Sequence, residues 1–496
     1  MLAAFAVMRQ ADRMMENSLW FLIVHLLVQV GVMLRVLQRP HREPASRLAW
    51  LVVVVVVPVI GVFAYLMLGE TSIGRRNQKA MHSATRGVLH HEGERKHAVD
   101  PGDGVPEIYA HLFRVGQSIS AFPAVSGNTA QLMPDSLATI DSMITDIDAA
   151  LLQVDVLFYI WLTDTSGTRI AEALQRAARR GVACRVMVDA LGSRALLNSQ
   201  LWKDMRAAGV LTAVALPLGN VLLRPLQGRF DLRNHRKILV IDSVITYCGS
   251  QNCADAEFRV KPKYAPWVDC VVRVQGPVAR QNQILFATDW SVYTGEKSAD
   301  IIDIAQESTC EGEEGFTAQV IASGPTMRPS AMPELFISLM FTAQRELTIS
   351  TPYYVPNQAM QGALCAAAYR GVKTTLILPA RNDSREVAAA SRSYYEELLQ
   401  AGVDIREYVG GLLHSKTVTL DGQISLIGSA NMDRRSFELN FENNILLHDV
   451  ELTAALRARQ QRYIDSAVQV TMEDVKNWSL PRRLWNNAIA MLGPIL

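Results

Sequence analysis

The chain has 496 residues, which is enough for about three domains of roughly 150 residues each. It is 49% apolar and 20% charged, and this composition excludes a disordered polypeptide. The 49 Lys and Arg residues almost balance the 48 Asp and Glu residues, so a protein that binds nucleic acid through bulk charge is disfavoured. The mean hydropathy of +0.10 is high for a soluble chain and indicates that some segment lies in lipid.

Two apolar segments near the N-terminus predict a membrane anchor. Leu48–Leu68 has no charged residue, and as a helix of about 31 Å it would match a hydrocarbon core of roughly 30 Å. Ser18–Leu34 is the weaker candidate, because it contains His25 and Gln29. We therefore predict a two-helix transmembrane hairpin over residues 1–70. A cleaved signal peptide is the alternative for the first segment, but no small-residue cleavage site follows it.

The basic residues around these segments give a weak indication of orientation. A hairpin places both of its ends on one side of the membrane. The loop between the segments has the four residues Arg35, Arg39, Arg42 and Arg47. The flanks have the six residues Arg9, Arg13, Arg75, Arg76, Lys79 and Arg86. The excess in the flanks favours a cytoplasmic location for the rest of the chain.

Residues 71–130 are interpreted as a polar, membrane-proximal linker. The segment has four histidines, but their spacing matches no strong metal motif, so a solvated linker is favoured over a metal site. These histidines are His82, His90, His91 and His97.

The remainder of the chain contains a duplication. The pattern Ala-Leu-x-x-Ala-Ala-x-Arg-Gly-Val begins at Ala173 and again at Ala363, an offset of 190 residues. Each copy predicts a helix that ends at Gly and is followed by a β-branched strand, Cys184–Val188 in the first and Thr374–Leu378 in the second. We predict an α/β fold with two pseudo-symmetric lobes, residues 131–310 and 311–496, which meet at the acidic segment Glu307–Gly315.

A second repeated block contains the residues that suit chemistry on a phosphate. Each copy reads His-x-Lys-x4-Asp and is followed after six residues by Gly-Ser-x-Asn. The first copy has His235, Lys237, Asp242, Ser250 and Asn252, and the second has His414, Lys416, Asp421, Ser429 and Asn431.

The spacing in each block predicts a β-hairpin that turns directly after the strand of the motif. A two-residue turn at Asp242 would place His235 opposite Ser250, and the same turn in the second copy would place His414 opposite Ser429. Lysine would then supply charge, and Ser and Asn would donate hydrogen bonds to phosphate oxygens. Histidine would be left free to attack phosphorus or to move a proton.

The aspartate of each motif lies at the turn, seven residues along the chain from its histidine. At about 3.3 Å per residue this separation exceeds 20 Å in a straight strand, so we expect Asp242 and Asp421 to fix the turns. Carboxylates that could orient the histidine rings are expected further along the chain, at Asp269 and Glu442. Because Glu442 is nearer in sequence to the second motif, we assign it to His414.

The two motifs resemble the phospholipase D superfamily, and more closely the bacterial cardiolipin synthases. The resemblance covers nearly the whole chain. It extends to Ala49-Trp50-Leu51, Phe158–Trp161, Asp231–Lys237, Ala322–Pro325, Thr351–Pro356, Gly410–His414 and Leu439–Glu442.

This resemblance implies a membrane enzyme that joins two phosphatidylglycerols into cardiolipin and releases glycerol. One motif histidine would form a phosphohistidine, and the superfamily pattern favours His235, with His414 as the acid. The resemblance also counts Asp242 and Asp421 among the active-site residues. It implies no metal or cofactor, phosphatidylglycerol and membrane lipids as partners, and a multi-pass location in the bacterial inner membrane. The oligomeric state is left open.

Two other classes of function remain open from the sequence. The motifs do not choose the acceptor, so a membrane-bound phospholipase D-type phosphodiesterase that hydrolyses lipid is the alternative. A nuclease is disfavoured because a soluble polymer needs no membrane anchor. A non-catalytic scaffold is disfavoured because it would need neither motif.

Three smaller features complete the sequence predictions. All six cysteines are expected to be small buried residues, since their spacing suits neither disulfides nor zinc. The segment after Pro481 is expected either to form a short interfacial helix or to dock on its own domain. Four arginines before the first motif are expected to form either a solvated face or a patch for anionic lipid, namely Arg224, Arg229, Arg233 and Arg236.

Overall fold

The structure, a computed structural model, describes residues 2–39, 44–70, 104–217, 231–258, 260–302, 315–325 and 331–491, with single residues at 74, 79, 81, 229 and 328. Side chains are described from residue 19 onward. The chain divides into an N-terminal unit, residues 1–74 with 219–231, and a sheet unit, residues 75–218 with 232–496. The His82–His97 cluster, Arg224, Cys310 and most of the predicted seam at 307–315 lie outside the described residues.

The described residues of the N-terminal unit form the helices α1 (Leu2–Gln38), α2 (Pro44–Val56) and α3 (Pro58–Leu68). Within the described residues, Leu19–Gln38 of α1 is the one stretch long and apolar enough to cross a membrane. The stronger predicted span, Leu48–Leu68, is divided between α2 and α3 and is not one continuous helix. Val57 leaves the helical conformation, and Pro58 has no N–H group to continue the hydrogen-bond ladder.

The two short helices α2 and α3 lie side by side. The rings of Trp50 and Tyr65 are in contact, with centroids 5.4 Å apart, although the two residues bracket the break. A Cβ atom at Gly61 would lie 2.3 Å from the carbonyl oxygen of Val53, so glycine permits the close approach of the backbones. The second helix of the predicted hairpin, Leu48–Leu68, is therefore two short helices in the structure, because the chain reverses at Pro58.

The sheet unit contains fifteen described helices and twenty described strands. The helices are α4 (Glu107–Ser120), α5 (Ser136–Ala149), α6 (Thr165–Arg179), α7 (Arg194–Leu197), α8 (Gln200–Ala207), α9 (Pro277–Thr294), α10 (Ser298–Ile302), α11 (Ala331–Thr342), α12 (Gln358–Tyr369), α13 (Arg385–Ser393), α14 (Tyr395–Ala401), α15 (Arg434–Glu438), α16 (Val450–Asp465), α17 (Met472–Lys476) and α18 (Leu480–Met491).

The strands are β1 (Val125–Leu132), β2 (Gln153–Phe158), β3 (Ala183–Asp189), β4 (Leu211–Ala215), β5 (Arg233–Asn234), β6 (Lys237–Ile241), β7 (Ile245–Gly249), β8 (Trp267–Val268), β9 (Val271–Gln275), β10 (Phe316–Ser323), β11 (Glu346–Ser350), β12 (Tyr354–Val355), β13 (Lys373–Pro379), β14 (Asp404–Tyr408), β15 (Leu412–Leu413), β16 (Thr417–Leu420), β17 (Ile424–Gly428), β18 (Met432–Asp433), β19 (Asn440–His448) and β20 (Ala467–Val470).

Sixteen of these strands form one mixed sheet. Fifteen follow the order β20-β14-β13-β11-β16-β17-β19-β10-β1-β9-β7-β6-β2-β3-β4, and β5 pairs with β19. The central strands are buried along almost their whole length, and helices such as α6 and α12 pack apolar residues on them. A sheet covered in this way explains the apolar strand sequences and confirms the α/β class.

The duplicated helix and strand are where the repeat predicts them. α6 is followed by Gly181 at φ +95°, and α12 by Gly371 at φ +86°. These left-handed residues turn the chain into β3 and β13, which extend one residue further at each end than predicted.

Residues 104–130 are not a linker, because they contribute α4 and most of β1 to the sheet unit. β1 pairs with β9 on one side and with β10 on the other, near the centre of the sheet. The predicted domain boundary at residue 131 therefore falls inside a strand. Only some of the β1 side chains are buried, so its sequence lacks the strong apolar pattern that predicts a strand.

The two motif hairpins have a different register from the one predicted. Leu239 lies opposite Tyr247, and Thr417 opposite Ile427, which shifts each pairing by one residue. Asp242 and Ser243 both have positive φ, and the turn closes when Val244 N–H donates to the Ile241 carbonyl. Val244 itself stays outside the ladder, so each loop has three residues instead of two. The predicted pairs His235–Ser250 and His414–Ser429 are therefore wrong.

The smaller predictions have mixed outcomes. The five described cysteines are free and buried, as expected. Helix α18 packs on α13 through Ile489, which contacts an apolar cluster with Ala389 and Ala390, so docking on its own domain is confirmed. The exposed face of α18 carries Leu484 and Trp485, and its contact with lipid stays a prediction.

The arginines before the first motif form neither a solvated face nor a lipid patch where they are described. Arg229 pairs with Asp231, while Arg233 and Arg236 are buried.

Candidate active site

Two short parallel strand pairs place each motif histidine against the half of the sheet unit to which it does not belong. β5, directly before His235, pairs with the start of β19, and β15, directly before His414, pairs with β8. The backbone N–H of His235 donates to the Phe441 carbonyl, and that of His414 to the Val268 carbonyl, each at 2.9 Å. Each histidine is thereby placed beside the residue that follows its backbone acceptor.

Those neighbouring residues are the two carboxylates. His235 Nδ1 lies 2.9 Å from Glu442 Oε2, and His414 Nδ1 lies 2.7 Å from Asp269 Oδ1. Both expected carboxylates are at the site, but the assignment of Glu442 to His414 is wrong. Sequence proximity fails here because the short strands exchange partners between the halves. A carboxylate on Nδ1 holds a proton there and leaves the lone pair on Nε2.

Aromatic rings and the motif lysines pack around the two histidines. The Tyr159 ring meets His235 edge-on at 5.0 Å, and Trp267 lies 4.6 Å from His414. Lys237 and Lys416 donate to the carbonyls of their own histidines at 2.7 and 2.6 Å. Tyr159 belongs to the segment Phe158–Trp161 that the sequence singled out. Trp267 was missed, because its neighbourhood has no repeated counterpart.

The motif serines hold the carboxylates. Ser250 Oγ donates to Asp269 at 2.6 Å, and Ser429 Oγ donates to Glu442 at 2.5 Å. Each hydroxyl also accepts a backbone N–H, so neither has a hydrogen left for a phosphate. The expected role of the serines as phosphate donors does not agree with this geometry.

The motif asparagines make fewer hydrogen bonds than the serines. Asn252 uses its oxygen to accept from Ile160 N–H at 3.2 Å, and Asn431 donates to Ser436 at 3.2 Å. In Asn252 the oxygen takes this bond, so its amide hydrogens remain suited to an anion.

The motif aspartates lie at the turns, as the strand spacing predicts. The Asp242 carboxylate accepts the N–H groups of Leu151, Leu152 and Gln153 at 2.8 to 2.9 Å. The Asp421 carboxylate does the same for residues 344–346, at 2.8 to 3.0 Å. Each aspartate thus ties a hairpin turn to the start of a neighbouring strand.

Arg236, between the first histidine and lysine, forms a fully buried ion pair that sequence reasoning missed. Its Nη1 contacts both carboxylate oxygens of Asp289 at 2.5 and 2.6 Å. Its Nε donates to the Glu442 carbonyl at 3.2 Å, and its Nη2 to the Ser323 carbonyl at 3.2 Å. The ion pair therefore supports the backbone of the carboxylate that contacts His235.

Burial sets the protonation of the site. It lowers the pKa of His235 to about 4, although Glu442 opposes the shift. It lowers the pKa of His414 likewise to about 4, with Lys416 adding to the effect. Burial also lowers the pKa of Lys237 to about 7 and that of Lys416 to about 8. An anion between these groups would favour their charged forms.

Among the described residues, no group of three or more His, Cys, Asp and Glu side chains is placed to hold a metal ion.

Comparisons with known proteins agree with the motifs. Residues 143–284 and 336–464 match a family profile described as "Cardiolipin synthase, PLD-like domain". Residues 18–70 match one described as "Phospholipase_D-nuclease N-terminal". Cardiolipin synthase A of Edwardsiella ictaluri (strain 93-146) is 36% identical over 471 residues, which cover 94% of this chain and 95% of the relative. Cardiolipin synthase A of Yersinia pestis is 36% identical over 470 residues, with the same coverage.

A solved structure supports the fold. The phosphatidylserine synthase of Haemophilus influenzae Rd KW20 superposes with a TM-score of 0.59 at 15% identity. The match covers 78% of this chain and 100% of that one, so the two share an architecture.

The turn contacts predict that Asp421→Asn acts on stability. In the variant one amide oxygen remains to accept from these three N–H groups, and an NH2 group, which cannot accept, replaces the second oxygen. We expect a loss of about 1.5–3 kcal/mol of unfolding free energy. Thermal unfolding should shift to lower temperature, while kcat below the transition should change little. His414→Asn is the matched control. It should lose activity, and its unfolding temperature should fall less than that of Asp421→Asn. Full inactivation of Asp421→Asn without a thermal shift would instead place this carboxylate in the chemistry.

The lowered lysine pKa values predict proton uptake when an anion binds. Near pH 8 both lysines of the free protein are partly neutral, and a bound anion raises their pKa values, so protons are taken up and affinity falls with rising pH. Titration calorimetry with sulfate in two buffers of different ionisation enthalpy measures this uptake. Lys416→Met should take up fewer protons at pH 8. Equal heats in both buffers at pH 8 would contradict the prediction.

Proposed function

Since the chain belongs to the cardiolipin synthase family of the phospholipase D superfamily and is a phosphatidyltransferase, we propose that its two His–carboxylate pairs divide a two-step transfer between them. The substrate in both steps is phosphatidylglycerol, and the products are cardiolipin and glycerol. The observation that supports this most directly is the reciprocal contact of His235 with Glu442 and of His414 with Asp269.

In the first step, His235 Nε2 attacks the phosphorus of one phosphatidylglycerol. The bond from phosphorus to the glycerol oxygen breaks, and protonated His414 gives its proton to that oxygen. Burial favours neutral His235, which is the nucleophilic form. The phosphodiester anion favours protonated His414, because it places negative charge near that buried ring.

In the second step, His414 accepts a proton from the headgroup hydroxyl of a second phosphatidylglycerol. The hydroxyl oxygen attacks phosphorus, and the bond from phosphorus to His235 breaks. One phosphodiester replaces another, so the exchange needs no nucleotide.

The motif residues around the phosphate keep separate roles in this proposal. Lys237, Lys416, Asn252 and Asn431 face the non-bridging oxygens and stabilise their charge. The serines position the two carboxylates, and Asp242 and Asp421 position the hairpins. The proposal involves no metal or cofactor.

We also propose that the two halves of the sheet unit are pseudo-symmetric lobes from one duplication. The 190-residue offset supports this, as does the shared order of strands: β2, β3 and β4 with the hairpin β6–β7 correspond to β11, β13 and β14 with the hairpin β16–β17. β1 and β10 join the halves at the centre of the sheet.

The proposed location is the bacterial inner membrane, with α1 as the anchor and the sheet unit on the cytoplasmic side. The apolar stretch Leu19–Gln38 supports the anchor. Phospholipids are the partners in this setting, and the nearly balanced charge disfavours nucleic acid.

The reaction is tested with purified protein and vesicles of phosphatidylglycerol in the presence of a chelator. We expect cardiolipin and free glycerol in equal amounts, because the lysines supply the charge that a metal would give. Phosphatidic acid without cardiolipin would show that water is the acceptor. Activity lost in chelator and restored by one divalent ion would contradict the metal-free mechanism.

The roles of the histidines are tested by trapping with the p-nitrophenyl ester of phosphatidic acid, whose leaving group needs no acid. His414→Ala should accumulate a phosphatidyl-enzyme at His235, and His235→Ala should accumulate none. Label in the His235→Ala variant alone would exchange the two roles. Mass spectrometry of the labelled peptide identifies the residue.

A further inference from the structure

The polar ends of the described helices α1, α2 and α3 meet at one place. Glu70, which follows α3, pairs with Arg35 and Arg39 at the end of α1, and its Oε2 accepts from Arg35 Nη2 at 2.9 Å. Arg47, near the start of α2, donates to the Arg39 carbonyl at 2.7 Å. The chain therefore leaves α3 at the same end of the unit where it left α1 and entered α2.

The opposite end of α2 and α3 is apolar and exposed. Val56 is 70% exposed, and Val59 and Ile60 beyond the break are 66% and 69% exposed. α2 has 13 residues and α3 has 11, which give lengths of about 20 and 16 Å at 1.5 Å per residue. Neither helix alone crosses a hydrocarbon core of about 30 Å.

The pair packs against α1 through both apolar and polar contacts. Val54 and Val62 contact Val32 and Val36 in one buried cluster. Gln29 Nε2 donates to the Val54 carbonyl at 2.9 Å, so a polar side chain within α1 is satisfied by α2. These contacts hold the pair alongside the membrane-spanning part of α1.

We infer that α2 and α3 form a re-entrant pair, which enters the bilayer from the polar end and returns to it, so that the chain crosses the membrane once, in α1. The N-terminus and the sheet unit then lie on opposite sides of the membrane. This inference does not depend on the chemistry proposed for the active site.

The distribution of basic residues fits a single crossing better than a hairpin. With one crossing, only Arg9 and Arg13 lie on the N-terminal side. The four arginines of the loop join the four basic residues that follow Gly74, so eight stand on the other side. The positive-inside rule then assigns the sheet unit to the cytoplasm and the N-terminus to the outer side.

Three glutamine-to-cysteine variants distinguish the topologies without changing any charge. Gln10→Cys, Gln38→Cys and Gln78→Cys are made in a Cys310→Ser background and treated with a membrane-impermeant maleimide. We expect Gln38→Cys and Gln78→Cys to react in inside-out vesicles, and Gln10→Cys to react in spheroplasts. Opposite sides for positions 38 and 78 would overturn the inference in favour of two spans. All three on one side would overturn the crossing itself.

A cross-link tests the reversal directly. In the full-length double variant Trp50→Cys with Tyr65→Cys, a short bis-maleimide should join the two positions, because their rings are in contact. A continuous helix would separate them by about 22 Å, beyond the reach of the reagent. Trp50→Cys with Ile60→Cys is the control and should cross-link poorly. Absence of the first cross-link in variants that still form cardiolipin would overturn the inference and leave the proposed function intact.

Discussion

The active site depends on a reciprocal exchange between the two halves of the sheet unit. Each motif histidine is held by a backbone hydrogen bond to the opposite half, and its ring contacts the carboxylate next to that acceptor. Neither half therefore contains a complete His–carboxylate pair. The proposed two-step transfer needs two histidines at one phosphate, and the exchange places each histidine against a strand of the opposite half, β19 for His235 and β8 for His414.

The histidines and their carboxylates are surrounded by further polar groups, which are connected by hydrogen bonds. Glu442 accepts from His235, Ser429 and Asn440, and its backbone carbonyl accepts from Arg236, which is itself paired with Asp289. Buried polar groups are costly when unpaired, so such a network holds the carboxylate in one position. The same burial lowers the pKa values of the histidines and the lysines, and a bound anion would raise them again.

In the N-terminal unit, Pro58 divides the second apolar segment into two short helices. Residues 48–68 are apolar enough for a membrane helix, but Pro58 follows a non-helical Val57, and Gly61 lets the returning helix approach Val53. A proline within a membrane helix often only kinks it, so the sequence predicted one spanning helix over Leu48–Leu68. The contact between Trp50 and Tyr65 decides for reversal.

The sequence by itself determined the α/β class, the duplicated helix and strand, the set of histidines and carboxylates, and the position of Asp242 and Asp421 at turns, because these follow from local periodicity and spacing. Tertiary structure alone decided which carboxylate contacts which histidine, since β5 and β15 are two-residue strands whose partners lie far away in the chain. It also decided the hairpin register, because one extra loop residue shifts every cross-strand pair. Tertiary structure likewise decided that Ser250 and Ser429 donate their hydroxyl hydrogens to carboxylates. Long-range pairing leaves no periodic signal in the sequence, and this is the physical reason for the difference.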